Sequence, residues 1–186
     1  MPDETPLAPP PAIDPAAPMI AHTERITVDR PTGQVYDYVV GGPLERMIPV
    51  TKRLPGVSGT TILTGGAWGA VGGRRHVHLT DNSRTTEQVL EAVPGERFRY
   101  EVWDYSTPAA KPIAYALGDF RFETAGVGER TELTWTYAFR LRRDVFPGNL
   151  GGLGRMLLRL ALVDGPYAEL MQASLAAIKA EIEAAP

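Results

Sequence analysis

The hydrophobic and polar positions follow two periods along the chain, and the order of these periods outlines the fold. Residues 22–30 alternate with the period of a half-buried strand, and residues 31–40 then show helical spacing behind Pro31. A short second helix is predicted over residues 44–50. Six segments rich in β-branched and aromatic residues follow between residues 56 and 142, parted by turn residues. Helical spacing returns over residues 153–182, where Gly165-Pro166 is predicted to kink or restart the helix.

This order predicts an α+β fold with a curved antiparallel sheet of about seven strands and two short helices after the first strand. The last strand segment carries large apolar side chains at every second position, so one face of the sheet is predicted to be buried and aromatic. The long C-terminal helix is the only sizeable apolar partner for that face. We therefore expect the sheet to wrap around this helix.

The first residues differ from the rest in composition. Residues 1–18 hold seven of the 17 prolines, three acidic residues and no Lys or Arg. Such a segment sustains neither a helix nor a sheet ladder. We predict a disordered, acidic, Pro/Ala-rich tail over residues 1–20 and a single domain over residues 21–186. The pattern of a signal peptide or a membrane span is not found, and the sequence predicts a cytoplasmic protein.

Charge and cysteine content exclude several classes of function. The formal net charge is −3 and the pI is about 5.7, which gives no general attraction to nucleic acid or to anionic lipid. With no cysteine, the chain has no disulfide, no thiolate metal ligand and no thiol nucleophile. We therefore expect neither a nucleic-acid partner nor thiol chemistry.

Three segments resemble a known superfamily. Residues 73–102, residues 128–142 and the ending YAELMQASLAAIKAEIE are similar to the START/SRPBCC superfamily, in its bacterial polyketide cyclase/dehydrase-like branch. The resemblance spans about residues 20–183. It implies a helix-grip fold with a deep, mainly apolar cavity used for lipids, sterols, polyketides and plant hormones. It further implies that some members catalyse cyclisation, aromatisation or dehydration, while others only bind or carry. No cofactor is expected.

Strand alternation predicts which side chains line such a cavity. The predicted ligand-binding residues lie on the apolar parity of the strands and of the last helix: Val77, Tyr100, Val102, Asp104, Phe120, Phe122, Trp135, Tyr137, Met156, Leu160, Tyr167 and Met171. The alternative is that these aromatic and aliphatic side chains fill a closed core. The resemblance favours the cavity.

Arg75, Tyr100 and Tyr137 are the candidate catalytic residues. Arg75 and Asp104 both fall on apolar parity, which favours an internal ion pair or an anchor for a ligand carbonyl or carboxylate, unless both lie at strand ends and reach solvent. The two tyrosines offer hydrogen bonds to a carbonyl or an enolate; alternatively, their hydroxyls bond to the backbone and their rings pack.

The remaining polar candidates are weaker. His76 and His78 share a strand face with Arg74, which indicates the outer surface, and His22 is distant, so no metal site is predicted. Glu87 becomes a possible general base if its face points inward, which the pattern leaves open. The glycine-rich segments 65–73 and 148–154 lack a phosphate-loop pattern and are predicted to form bends, and residues 104–115 are predicted to form a lip over the cavity mouth.

These observations support two main hypotheses of function. The first is a protein that binds a hydrophobic small molecule, lipid-like or polyketide-like, between the sheet and the C-terminal helix. The alternative is a polyketide cyclase, aromatase or dehydratase that uses acid/base chemistry in that cavity. A third hypothesis is a module that recruits a protein partner through its proline-rich tail.

Overall fold

A seven-stranded antiparallel sheet forms most of the protein. The computed structural model describes residues 8–64, 68–126 and 129–185. The strands, in spatial order β1-β7-β6-β5-β4-β3-β2, are β1 (Ile20–Val28), β2 (Val57–Ile62), β3 (Arg74–Leu79), β4 (Arg84–Val93), β5 (Arg97–Trp103), β6 (Ile113–Thr124) and β7 (Thr131–Leu141). All neighbouring strands pair antiparallel, as the hydrophobic pattern predicted.

The helices follow the predicted order. Helices α1 (Thr32–Gly41) and α2 (Leu44–Met47) lie between β1 and β2. After β7 the chain forms α3 (Gly152–Leu158), a wider π-helical segment (Arg159–Tyr167) and α4 (Ala168–Ala184). Pro166 has no backbone N–H and lies inside the π-helical segment, so the predicted break at Gly165-Pro166 takes the form of a change of helix type.

The concave face of the sheet packs against α4. On β7 the side chains of Leu133, Trp135, Tyr137, Phe139 and Leu141 alternate onto this face, and all five are buried. Burial of an apolar side chain of this size stabilises a fold by about 1.5–3 kcal/mol. Helix α4 faces them with a fully buried stripe: Met171, Leu175, Ile178 and Ile182. The sheet therefore grips the helix, and the predicted helix-grip fold is confirmed.

The N-terminal segment touches the outer face of the sheet. Residues 8–18 form neither helix nor strand, and β1 begins at Ile20, one residue before the predicted domain start. The Trp103 indole Nε1 donates a hydrogen bond of 3.1 Å to the Ala8 carbonyl, and an Arg140 guanidinium nitrogen donates one of 3.0 Å to the Pro18 carbonyl. The disordered tail stays a prediction for residues 1–7, which lie outside the described residues, as do residues 65–67 of the first glycine-rich segment.

Deletion of residues 1–18 is expected to uncover Trp103. This side chain lies on the outer face of β5, where strands normally meet solvent, yet it is only 3% exposed. We expect the tryptophan emission to shift to longer wavelength and the free energy of unfolding to fall by about 1–2 kcal/mol. In a Trp103→Phe background the same deletion should leave the emission maximum unchanged. An unchanged emission maximum in the deletion alone would show that the segment does not cover Trp103.

Candidate functional site

A cavity of about 400 Å³ lies between the concave face of the sheet, α2 and the C-terminal helical region. Aromatic and aliphatic side chains form most of its wall, and the polar groups are few. Its size falls within the range of small-molecule sites. The sheet contributes the longest part of the wall, through Arg75, Val77, Leu79, Thr85, Glu87, Phe98, Tyr100, Val102, Phe120, Trp135, Tyr137 and Phe139.

An ion pair between Arg75 and Glu87 is the main polar feature of the wall. The two residues face each other in the register of β3 and β4. Arg75 Nε and a terminal nitrogen each lie 2.7 Å from Glu87 Oε2, and both residues are 8% exposed. The Arg75 guanidinium also lies 3.7 Å from the ring centroid of Trp68, a cation–π contact. The cavity thus holds a buried, paired positive and negative charge in a mainly apolar wall, to which Arg53, Asp81 and Ser83 add further polar groups.

The β4 strand contains an irregularity that places Glu87 and Glu91 on opposite faces of the sheet. The pairing of β4 with β5 shifts between Val89 and Glu91, as in a β-bulge. Glu87 and Val89 therefore face inward, while the Glu91 carboxylate points outward and lies 3.5 Å from Arg97 and 3.4 Å from Arg99. Period-2 alternation placed Glu87 and Glu91 on one face, and the bulge separates them.

Tyrosine rings form the inner part of the cavity. The ring centroids of Tyr137 and Tyr167 are 4.8 Å apart, and those of Tyr100 and Tyr137 are 6.4 Å apart. Burial raises the pKa of Tyr100, and the negative charge of Glu87 raises it further. Burial likewise raises the pKa of Tyr137. These hydroxyls keep their protons at neutral pH and can serve as hydrogen-bond donors.

Alkaline conditions should therefore destabilise the fold. The pKa of a tyrosine hydroxyl is ordinarily 10.0 and is raised in the folded state for Tyr100 and Tyr137, so above about pH 10 only the unfolded chain loses these protons. The stability that the two groups contribute is full below this pH and is lost as the pH rises, by up to about 1.4 kcal/mol per pH unit for each tyrosine. Urea unfolding between about pH 9 and about pH 11 should show this slope, and the Tyr100→Phe/Tyr137→Phe variant should show a smaller one. Equal slopes would contradict the assignment.

Two buried indole nitrogens have no hydrogen-bond partner among the described residues. These two atoms are Trp135 Nε1 and Trp68 Nε1. Trp135 lines the cavity and stacks on Phe120 at a centroid distance of 5.0 Å. An unpaired buried donor costs about 1–3 kcal/mol. The Trp135 N–H lies near the Tyr100 hydroxyl and counteracts the rise in its pKa, but it makes no hydrogen bond of good geometry, so an acceptor atom on a bound molecule would satisfy this donor.

The structure places eight of the predicted site residues in the cavity wall: Arg75, Val77, Tyr100, Val102, Phe120, Trp135, Tyr137 and Tyr167. Their roles in binding or catalysis stay predictions. Phe122 and Met171 are buried in the core beside this cavity and do not form part of its wall. The alternation of side chains along the strands identifies most of the wall residues that lie on the sheet. It gave no signal for the wall residues on α2 and the loop after it, which are Met47, Ile48, Leu54 and Pro55.

Asp104 does not belong to the cavity wall. It lies directly after the last residue of β5, with a φ of 56°, and its side chain is exposed. A left-handed residue turns the chain out of the strand, so the alternation that placed Asp104 inward ends at Trp103. The Thr86 hydroxyl donates a hydrogen bond of 3.4 Å to Asp104 Oδ2 on the outer side of the sheet. The loop that follows does border the mouth, through Thr107, Ala109 and Ala110.

Met156 and Leu160 also lie outside the cavity, with 51% and 67% of their surface exposed. The predicted stripe assumed one helical period from residue 153 to residue 182. The π-helical segment has more residues per turn, so the stripe shifts there: Leu162 faces the cavity in place of Met156 and Leu160, and the predicted Tyr167 keeps its place in the wall.

The histidines of β3 face away from the cavity, as Arg74 indicated. An Arg84 guanidinium N–H donates to His76 Nε2 at 3.0 Å, and His78 Nε2 lies 2.9 Å from the Thr61 hydroxyl. Burial and the charge of Arg84 lower the pKa of His76. Within residues 8–64, 68–126 and 129–185 no three His, Asp or Glu side chains come together in a way that could hold a metal ion. In the same ranges, no helix has the length and apolar character needed to span a bilayer.

Comparison with known proteins agrees with the fold. Residues 19–183 match the family described as polyketide cyclase / dehydrase and lipid transport. The chain belongs to this family. None of the curated proteins matches the sequence. The match covers the whole sheet and nearly all of α4, so the cavity described above lies within the polyketide cyclase / dehydrase and lipid transport domain.

Solved structures of distant proteins share the fold. The chain is similar to Ara h 8.0201, with a TM-score of 0.63 and 12% identity over 89% of this chain and 99% of that one. It is similar to the ZhuI aromatase/cyclase from Streptomyces sp. R1128, with a TM-score of 0.61 and 18% identity over 89% and 94%. Norcoclaurine synthase from Thalictrum flavum gives a TM-score of 0.58 and 9% identity over 89% and 87%. At these identities the similarity shows the fold alone.

Proposed function

We propose that this protein binds a hydrophobic small molecule, lipid-like or polyketide-like, in the cavity between the sheet and the C-terminal helix. The observation that carries the proposal is the cavity of about 400 Å³, whose wall is mainly aromatic and aliphatic. An apolar molecule that enters it gains roughly 25 cal/mol for each Å² of apolar surface removed from water. Family membership supports the same class of ligand.

The few polar groups of the wall suggest the chemistry of the ligand. The Trp135 indole nitrogen and the tyrosine hydroxyls donate hydrogen bonds, and the Arg75 guanidinium adds a positive charge beside Glu87. A ligand with one or more carbonyl or phenolic oxygens on an apolar skeleton satisfies such a wall.

Native mass spectrometry tests this proposal. The purified protein is incubated with a mixture of long-chain fatty acids and polycyclic phenols, re-isolated and weighed. We expect a one-to-one adduct with the unmodified protein and with Thr134→Phe, which adds an aromatic ring on the outer parity of β7. The adduct should be lost in Val77→Phe, which fills the cavity. An unmodified protein without any adduct would contradict the proposal, as would an adduct that Val77→Phe retains.

A second candidate function is acid/base catalysis on a polyketide-like substrate, as a cyclase, aromatase or dehydratase. The observation that favours it is the Glu87 carboxylate, which faces the cavity near the protonated hydroxyl of Tyr100. In this candidate mechanism, Glu87 takes a proton from the carbon between two carbonyls, and a tyrosine hydroxyl donates a hydrogen bond to the enolate oxygen that forms. Arg75 holds the carboxylate in position.

Exchange of the central protons of acetylacetone for deuterium tests the second candidate. This exchange needs only the proton transfer and can be followed by NMR. We expect acceleration by the unmodified protein and a loss of about a hundredfold in Glu87→Gln, with a smaller loss in Tyr100→Phe. An exchange rate equal to the buffer rate would eliminate enolisation of simple diketones and leave the binding function.

A further inference from the structure

A cluster of exposed apolar side chains covers one side of α3 and the turn before it. Ten large hydrophobic side chains are exposed among the described residues, and six of them lie between residues 146 and 160. We call these six the Leu153 face: Phe146, Leu150, Leu153, Met156, Leu157 and Leu160. Residues 153, 156, 157 and 160 share one side of a helix. Concentrated exposure of this kind marks an interaction surface more often than scattered apolar residues do.

Close packing of α3 on the preceding turn explains why these side chains point outward. Gly154 is the buried residue of α3, and a Cβ there would overlap the carbonyl of Pro147. The helix therefore turns its glycine side to the protein and its leucine side to solvent. Farther along, Leu162 of the π-helical segment lines the cavity. One continuous helical segment thus has an exposed apolar side at its start and a cavity-lining side at its end.

Positive charge is concentrated around the Leu153 face. Residues 140–160 contain five arginines and one acidic residue, for a formal charge of +4 in a chain whose total is −3, so all other residues together carry −7. Arg140, Arg143 and Arg155 border a depression of about 280 Å³. Within the described part of the chain, neither Arg143 nor Arg155 has a carboxylate within ion-pair distance. The chain as a whole is therefore acidic, but the region around the Leu153 face is basic and apolar.

We propose that the Leu153 face binds the surface of a lipid bilayer that contains anionic phospholipid. Exposed leucine, methionine and phenylalanine side chains enter the boundary of the acyl chains, while arginines at the edge stay at the level of the headgroup phosphates. Each arginine near an anionic surface strengthens binding about fivefold. The apolar side of the helix matches the acyl chains of such a bilayer, and the unpaired arginines match its phosphate groups.

A second copy of the chain fits this face less well. In a twofold dimer the same patch meets itself, so Arg143 and Arg155, which have no carboxylate partner among the described residues, would lie close to those of the other copy. Such a region repels itself and attracts an anionic surface. The proposal goes beyond ligand binding and is independent of it, because none of the six side chains of the Leu153 face belongs to the cavity wall.

Flotation with lipid vesicles tests the proposal on the full chain. Vesicles of phosphatidylcholine alone are compared with vesicles that contain about 30% phosphatidylglycerol. We expect at least about tenfold stronger binding to the anionic vesicles, weakened when the salt concentration rises from about 0.05 M to about 0.5 M. Arg143→Gln/Arg155→Gln should lower binding about 25-fold, and Leu153→Ser/Leu160→Ser should lower it by a similar factor.

Matched variants control for nonspecific loss. Val50→Ser/Val71→Ser removes two equally exposed apolar side chains elsewhere, and Arg25→Gln/Arg121→Gln removes two exposed arginines elsewhere. Both should bind vesicles as the unmodified protein does. Absence of binding to anionic vesicles overturns the proposal, and so does unchanged binding by Leu153→Ser/Leu160→Ser. A stable dimer in light scattering that dissociates in that variant also overturns it, because the face would then belong to a second copy.

Discussion

Replacement of Arg75 by methionine is expected to lower the free energy of unfolding by about 3–5 kcal/mol. The methionine keeps the apolar length of the side chain but leaves the Glu87 carboxylate, 8% exposed, without its positive partner. An unpaired buried charge is among the most destabilising changes that a single substitution can make. The contact between the guanidinium and the Trp68 ring is lost in the same step. Urea denaturation at neutral pH measures the effect.

The double variant Arg75→Met/Glu87→Leu shows whether the loss comes from the stranded charge. Because an apolar pair of similar volume often replaces a buried ion pair without loss, we expect this variant to recover most of the stability. If Arg75→Met alone lowers the free energy of unfolding by less than about 1 kcal/mol, the ion pair is solvated and the cavity holds more water than its mainly apolar wall indicates.

Replacement of Gly118 by alanine is expected to destabilise the fold by about 2–3 kcal/mol. Gly118 faces Tyr100 in the register of β5 and β6, and a Cβ at this position would overlap the Tyr100 ring. That ring is packed near Phe98 and Phe120, so a displaced Tyr100 ring moves into the cavity. We therefore also expect the variant to bind cavity ligands more weakly, because the displaced ring occupies their space.

A double-mutant cycle separates this clash from a general loss of strand stability. In a Tyr100→Leu background the ring is absent, and adding Gly118→Ala should cost less than about 0.5 kcal/mol. An equal cost in both backgrounds would mean that the alanine destabilises the strand itself and that the ring does not need the space above Gly118.

Most of the fold could be predicted from the sequence because its signals are local and repeated. The alternation of Leu133, Trp135 and Tyr137 on β7 identifies both the strand and its buried face. The spacing of Met171, Leu175 and Ile178 identifies the helix that this face covers. The period of two residues in strands and that of about 3.6 residues in helices predict the buried side chains correctly wherever the backbone is regular.

The candidate site could be predicted only in part, because it includes positions where the backbone departs from a regular period. A bulge after Val89 separates Glu87 from Glu91, a left-handed residue turns Asp104 outward, and the π-helical segment breaks the single helical period that had placed Met156 and Leu160 on the stripe of α4. The Arg75–Glu87 pairing depends on the register of two strands, which the sequence of either strand alone does not specify.

Binding of 1-anilinonaphthalene-8-sulfonate tests the central claim, a cavity open to hydrophobic molecules, most directly. A fluorescence titration of the unmodified protein should show one saturable site. Val77→Phe, which fills the cavity, should weaken the affinity about tenfold or more, while Thr134→Phe and the exposed Leu153→Ser/Leu160→Ser variant should bind as the unmodified protein does. Equal binding by Val77→Phe would contradict the account, and so would a loss of binding confined to Leu153→Ser/Leu160→Ser, because the probe would then occupy the surface and not the cavity.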